Sequence, residues 1–110
     1  MTRPSEIPHA GVATLRDREV SDWIEARPHA AILFWDADDA ACQRLRARLE
    51  LVAASANVPL GIVDVRTDAL VAQALGVKSV PTLVAFRGGE VVDRVMGAAP
   101  EAILRQALST

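Results

Sequence analysis

The residues best suited to chemistry lie in one short stretch, Trp35-Asp36-Ala37-Asp38-Asp39-Ala40-Ala41-Cys42. Cys42 is the only cysteine. An internal disulfide is therefore impossible, and any redox chemistry must be monothiol or must use a partner's sulfur. A reactive cysteine works as its thiolate, which the free N–H groups at a helix start stabilise. Cys42 falls in the first turn of a helical stretch, but the residue at the start of that turn is Asp39. An aspartate there satisfies the free N–H groups permanently, as an N-cap. A nearby carboxylate and partial burial both disfavour a Cys42 thiolate. Cys42 therefore reads as a small buried hydrophobe, the alternative being a monothiol redox or mixed-disulfide site.

Asp36, Asp38 and Asp39 form an acidic rim on this loop. They read as solvated loop acids or as a contact for basic peptide segments. Three carboxylates in one short loop, without further ligands, make a poor site for a hard cation, and neither a metal nor another cofactor is expected. His9 and His29 stand beside prolines and read as surface histidines, since nothing in the sequence pairs either with Cys42. Trp35 reads as core packing beneath the loop and Trp23 as the inner face of a helix. Lys78, the only lysine, is expected to be exposed just before Val80-Pro81.

These residues need elements to position them. Residues 1–10, with Pro4 and Pro8, read as a flexible N-terminal arm, and residues 11–110 as one domain. A short strand is expected over 11–15 and a helix over 17–26, where Val20, Trp23 and Ile24 recur at helical spacing and Pro28 ends the run. The run 30–35, AAILFW, is a strand covered on both faces. From 40 to about 54 the period is helical, with Ala41, Leu45, Leu49 and Val52 as the apolar stripe. A strand follows over 58–65, weakened by Pro59 and Gly61, then a short helix over 69–75 closed by Gly76. Strands over 82–86 and 91–95 are joined by a Gly88-Gly89 hairpin turn. A last helix covers 100–108, with Pro100 in its first turn. The order β-α-β-α-β-α-β-β-α implies parallel strands with right-handed crossovers and a final antiparallel hairpin.

The composition narrows the function classes. The chain has 110 residues, is 51% hydrophobic and carries a formal net charge of −2. That length supports one hydrophobic core. Interspersed charges of both signs argue against nucleic-acid binding, and no apolar run is long enough to span a bilayer. The N-terminal stretch, interrupted by prolines and a glutamate, does not read as a secretory signal, so a cytoplasmic location is expected, unless a signal has already been removed.

Three segments together resemble thioredoxin. Phe34-Trp35-Asp36-Ala37-Asp38-Asp39-Ala40-Ala41-Cys42 lines up with F-W-A-x-W-C-G-P-C. Gly76-Val77-Lys78-Ser79-Val80-Pro81-Thr82 matches G-[IV]-x-x-[IV]-P-T. Phe86-Arg87-Gly88-Gly89-Glu90 with Gly97 matches F-x-x-G-x…G. The resemblance implies an α/β thioredoxin fold, a mixed five-stranded sheet of order 1-3-2-4-5 with helices on both faces. It also implies a cis peptide bond at Val80–Pro81, beside which the family binds extended peptides by strand addition.

The departures from the pattern bear on function. The family's attacking cysteine falls on Asp39, its second cysteine on Cys42 and its loop tryptophan on Asp38. The family's buried acid falls on Leu33, and the lysine that partners it on Ile62. Losing both charges together is far less costly than losing one. The resemblance with these losses implies a redox-inactive, DxxC member. It would bind a protein or an extended peptide segment through Val80, Pro81, Asp38 and Asp39, as a chaperone, assembly or adaptor module. The alternative is a monothiol thiol-disulfide oxidoreductase using Cys42. The partner and the oligomeric state are not legible in the sequence.

Overall fold

The computed structural model describes residues 11–110, so the arm expected over residues 1–10 lies outside the described residues. The elements are β1 (Val12–Thr14), α1 (Asp17–Glu25), β2 (His29–Trp35), α2 (Ala40–Ala56), β3 (Leu60–Asp64), α3 (Leu70–Ala74), β4 (Thr82–Arg87), β5 (Glu90–Met96) and α4 (Glu101–Leu108). They form one five-stranded sheet of order β1-β3-β2-β4-β5. Strands β1, β3 and β2 run parallel, while β4 pairs antiparallel with both β2 and β5. Fold class and strand order are those expected from the sequence. No helix among the described residues is long and apolar enough to cross a membrane.

Alternation along the central strand divides the core into two layers. Ala31 and Leu33 point to one face, where they meet Leu45, Leu49 and Val52 of α2 and Leu104 and Leu108 of α4. Ile32 and Phe34 point to the other, against Val20 and Ile24 of α1 and Ala72 of α3. Each large side chain so buried contributes about 1.5–3 kcal/mol relative to exposure.

The boundaries differ from expectation in instructive places. Strand β3 begins at Leu60, two residues late, because Pro59 has no N–H for the ladder. Its carbonyl still accepts from the Ala31 N–H at 3.0 Å. Gly61 lies within β3, and a Cβ there would lie 2.6 Å from Leu15 Cδ1. Helix α2 continues to Ala56 and stops at Asn57, whose φ of 59° is left-handed. Pro100 is the N-cap of α4 rather than a first-turn residue. In the β4–β5 turn, Gly88 and Gly89 have φ of 61° and 84°, the positive values that a tight hairpin needs.

Candidate functional site

Parallel β2 and β3 end together, with Trp35 opposite Asp64 in register. Antiparallel β4 begins at the same end, with Thr82 opposite Phe34 on one side and Met96 on the other. The 36–39 loop, the residues after Asp64 and the segment before Thr82 therefore gather at one end of the sheet. Sequence reasoning grouped the first and third of these. It missed the second, and with it Arg66.

Asp39 is the N-cap of α2, with an extended backbone of φ −89° and ψ 124°. Its Oδ1 accepts from the Ala41 N–H at 2.7 Å and the Cys42 N–H at 3.1 Å. This carboxylate takes up the donors that would otherwise stabilise a thiolate. The Cys42 side chain is fully buried. Burial pushes its thiol pKa up; a backbone contact from Asp36 pulls it down, and the Asp39 and Asp36 carboxylates push it further up.

Asp38 and Asp39 are solvent-exposed, as the sequence suggested, and the acids of the rim are also engaged by partners within the chain. Asp36 Oδ1 accepts from the Asp38 N–H at 2.9 Å, closing the turn. The Asp38 carboxylate is ion-paired to the Arg66 guanidinium, which also lies 3.6 Å from Asp36 Oδ1. Gln43 Nε2 donates to the Ala37 carbonyl at 2.7 Å. The loop's acids thus face a helix start, a turn amide and an arginine. Among the described residues, no three His, Cys, Asp or Glu side chains gather into a metal-binding group.

Beneath the loop, Leu33 and Ile62 stand opposite each other in register, at 0% and 1% exposure. The two positions that the resemblance aligns with a buried charge pair are therefore direct neighbours in one apolar layer. Trp35 is half-buried, not a core residue. It packs on that layer's edge, with the Arg46 guanidinium 4.7 Å from its ring centre. Arg46 Nε also donates to Glu50 at 2.6 Å.

The Val80–Pro81 peptide is cis. Pro81 itself is buried and so offers no surface, while Val80 is half-buried and Lys78 and Ser79 are exposed. Thr82 Oγ1 donates to the Ser79 carbonyl at 2.7 Å, and the Gly97 N–H donates to the Pro81 carbonyl at 2.8 Å. On the α3 side, Val65, Ala69, Val77, Lys78, Ser79 and Val80 line a cleft of about 250 Å³. Next to Thr82, Met96 is 75% exposed. An exposed methionine on an edge strand was a signal available in the sequence, through the alternation of β5.

His29 is not a surface histidine. It is half-buried, its Nε2 is buried without a hydrogen-bond partner, and it lies opposite Arg87 in register. Burial, then Arg87, lowers its pKa. It sits at the end of β2 opposite the loop, away from the candidate site. His9 lies outside the described residues.

Comparison with known proteins agrees with this geometry. The thioredoxin family profile matches residues 11–110. The chain is 35% identical to thioredoxin 1 of Nostoc sp. (strain PCC 7120) over 77 residues, covering 68% of this chain and 72% of that protein. It is 30% identical to the thioredoxin of Griffithsia pacifica over 87 residues, covering 77% and 80%. Among solved structures, a mutant thioredoxin from Halobacterium salinarum NRC-1 superposes with a TM-score of 0.85 at 26% identity, covering 92% of this chain and 90% of that one.

Proposed function

The chain belongs to the thioredoxin family, and we propose that within it this protein is a non-catalytic binding module for an extended protein segment. The observation that carries this reading is the Asp39 cap over a fully buried Cys42. Disulfide exchange begins with attack by an accessible thiolate. Here the helix-start position holds a carboxylate, and the only thiol, Cys42, is buried with a raised pKa. What stays accessible is a recognition surface: the partly exposed Trp35, Ser79 and Val80, the cleft beside them and Met96. An extended segment can add main-chain hydrogen bonds along Ser79–Val80 and seat an apolar side chain in the cleft. Because Arg66 already pairs with Asp38, a basic side chain on the partner meets a partly neutralised loop. Charge then contributes less than the sequence alone suggested, and added salt weakens it further.

The competing reading is a monothiol oxidoreductase using Cys42. It draws on the relatives, which are named thioredoxins. The buried thiol weighs against it.

Two measurements test the proposal. In an insulin-reduction assay with dithiothreitol, the protein should not accelerate disulfide cleavage; acceleration abolished by Cys42→Ser would overturn the reading. In amide shift mapping with a panel of synthetic extended peptides, shifts should cluster at Trp35–Asp39, Val77–Val80 and Met96. Shifts confined to the 87–90 turn, or no binding by any peptide, would refute it.

A further inference from the structure

Helices α1 and α3 each begin on a residue that cannot cap them. Arg16 precedes α1 and Ala69 precedes α3, and neither side chain has an acceptor to offer. The first N–H groups of each helix still need partners. Glu19 accepts from the Arg16 N–H at 2.7 Å, and each start is also served by an aspartate from the start of the other. Asp68, just ahead of Ala69, accepts from the Asp17 N–H at 3.0 Å. Asp17, the first residue of α1, accepts from the Leu70 N–H at 3.1 Å and the Val71 N–H at 3.0 Å. Asp68 is only 6% exposed. Its other oxygen accepts from Arg16 Nε and Thr67 Oγ1, both at 2.8 Å.

The consequence lies in what α3 carries. It has five residues, too few to hold itself together by its own hydrogen bonds. Its last turn closes through Leu75 to Val71, Gly76 to Gln73 and Val77 to Ala72. The chain then runs straight into Lys78, Ser79 and Val80, which line the cleft together with Ala69 and Ala72 of the α3 region. A displaced α3 start would move that lining, because no other element separates the two.

We infer that Asp17 and Asp68 are positioning residues: their exchanged caps hold α3, and α3 holds the recognition edge at 77–80. The role of that edge rests on the binding reading above; the mechanical link does not.

Amide hydrogen exchange in the free protein tests the link. In Asp17→Ala, the Gln73, Leu75 and Val77 amides should exchange about fivefold to thirtyfold faster, the factor expected for a lost cap. That acceleration should exceed any common change at Leu49 of α2 and Leu104 of α4, and the Val80 amide resonance should move. Asp17→Asn keeps one of the two acceptor oxygens and should restore part of the protection. Unchanged α3 exchange, equal acceleration everywhere, or no rescue by asparagine would overturn the inference. If Asp17→Ala does not fold, Asp17→Glu carries the same test, since it shifts the acceptor by one methylene. The peptide panel separates the two claims. Accelerated α3 exchange in a protein that binds none of the peptides upholds the link and refutes the binding reading. Unchanged α3 exchange in a protein that binds them refutes the link alone.

Discussion

Two parts of this molecule treat a buried position in opposite ways. Beneath the 36–39 loop, Leu33 and Ile62 face each other without charge. Between α1 and α3, Asp68 is nearly as buried but carries a carboxylate. The difference is the supply of donors. Asp68 accepts from one backbone N–H, a guanidinium and a hydroxyl; around Leu33, strand pairing uses the backbone donors and the neighbours are aliphatic. A buried charge is tolerated where its lone pairs are met and is costly where they are not. The layer beneath the loop is ordinary apolar core, while a buried charge is kept where it fastens two helices.

The sharpest way to break this comparison is to restore the missing cysteine and leave the core apolar. Asp39→Cys should form an internal disulfide with Cys42 on oxidation, read by loss of free thiol. Its insulin-reductase turnover should still lie about 10²–10⁴-fold below that of a thioredoxin carrying the acid, the usual worth of positioned proton transfer. Turnover at the level of such a thioredoxin would show that Leu33 and Ile62 do not limit it. The next effect is on stability. Leu33→Asp places a carboxylate against Ile62 and should lower unfolding free energy by about 3–5 kcal/mol in urea titration, with partial recovery on adding Ile62→Lys. An unchanged midpoint would mean that this layer is not dry.

The smallest effect concerns acid. The Asp17 N–H is the largest cause of an Asp68 pKa below the ordinary carboxylate value, with Thr67 and Arg16 adding to it against burial. A group whose pKa is lowered by folding stabilises the native state above its unfolded pKa, near pH 4, and loses that contribution as pH falls through its folded value. The stability difference between the native protein and Asp68→Asn should therefore hold steady at pH 5–7 and shrink below about pH 4. A difference that grows in acid would contradict the arrangement around Asp68.

Much of this was legible in sequence, for local reasons. The order of elements followed from periodicity, and the Asp39 cap followed from a helix starting at Ala40, because capping acts within three residues. The apolar pair at 33 and 62 was legible only through the resemblance to thioredoxin, which placed both residues on neighbouring strands. Arg66 was missed because its partner Asp38 is 28 residues away and a solvated arginine carries no periodic signal. The exchange between Asp17 and Asp68 spans 51 residues. Its one trace in the sequence was negative: two helix starts, at Arg16 and Ala69, without a capping side chain. His29 was misread because its burial depends on cross-strand neighbours rather than on the adjacent Pro28.

The Asp39 cap has a consequence for how the loop responds to its surroundings. A Cys-x-x-Cys loop exists in two chemical forms, and its shape and charge follow the electron supply of its surroundings. With a carboxylate bonded to the Ala41 and Cys42 amides, and a single thiol in the chain, this loop has one form. Its geometry does not toggle between dithiol and disulfide, so the end of the sheet that it covers keeps one shape in oxidising and reducing conditions alike.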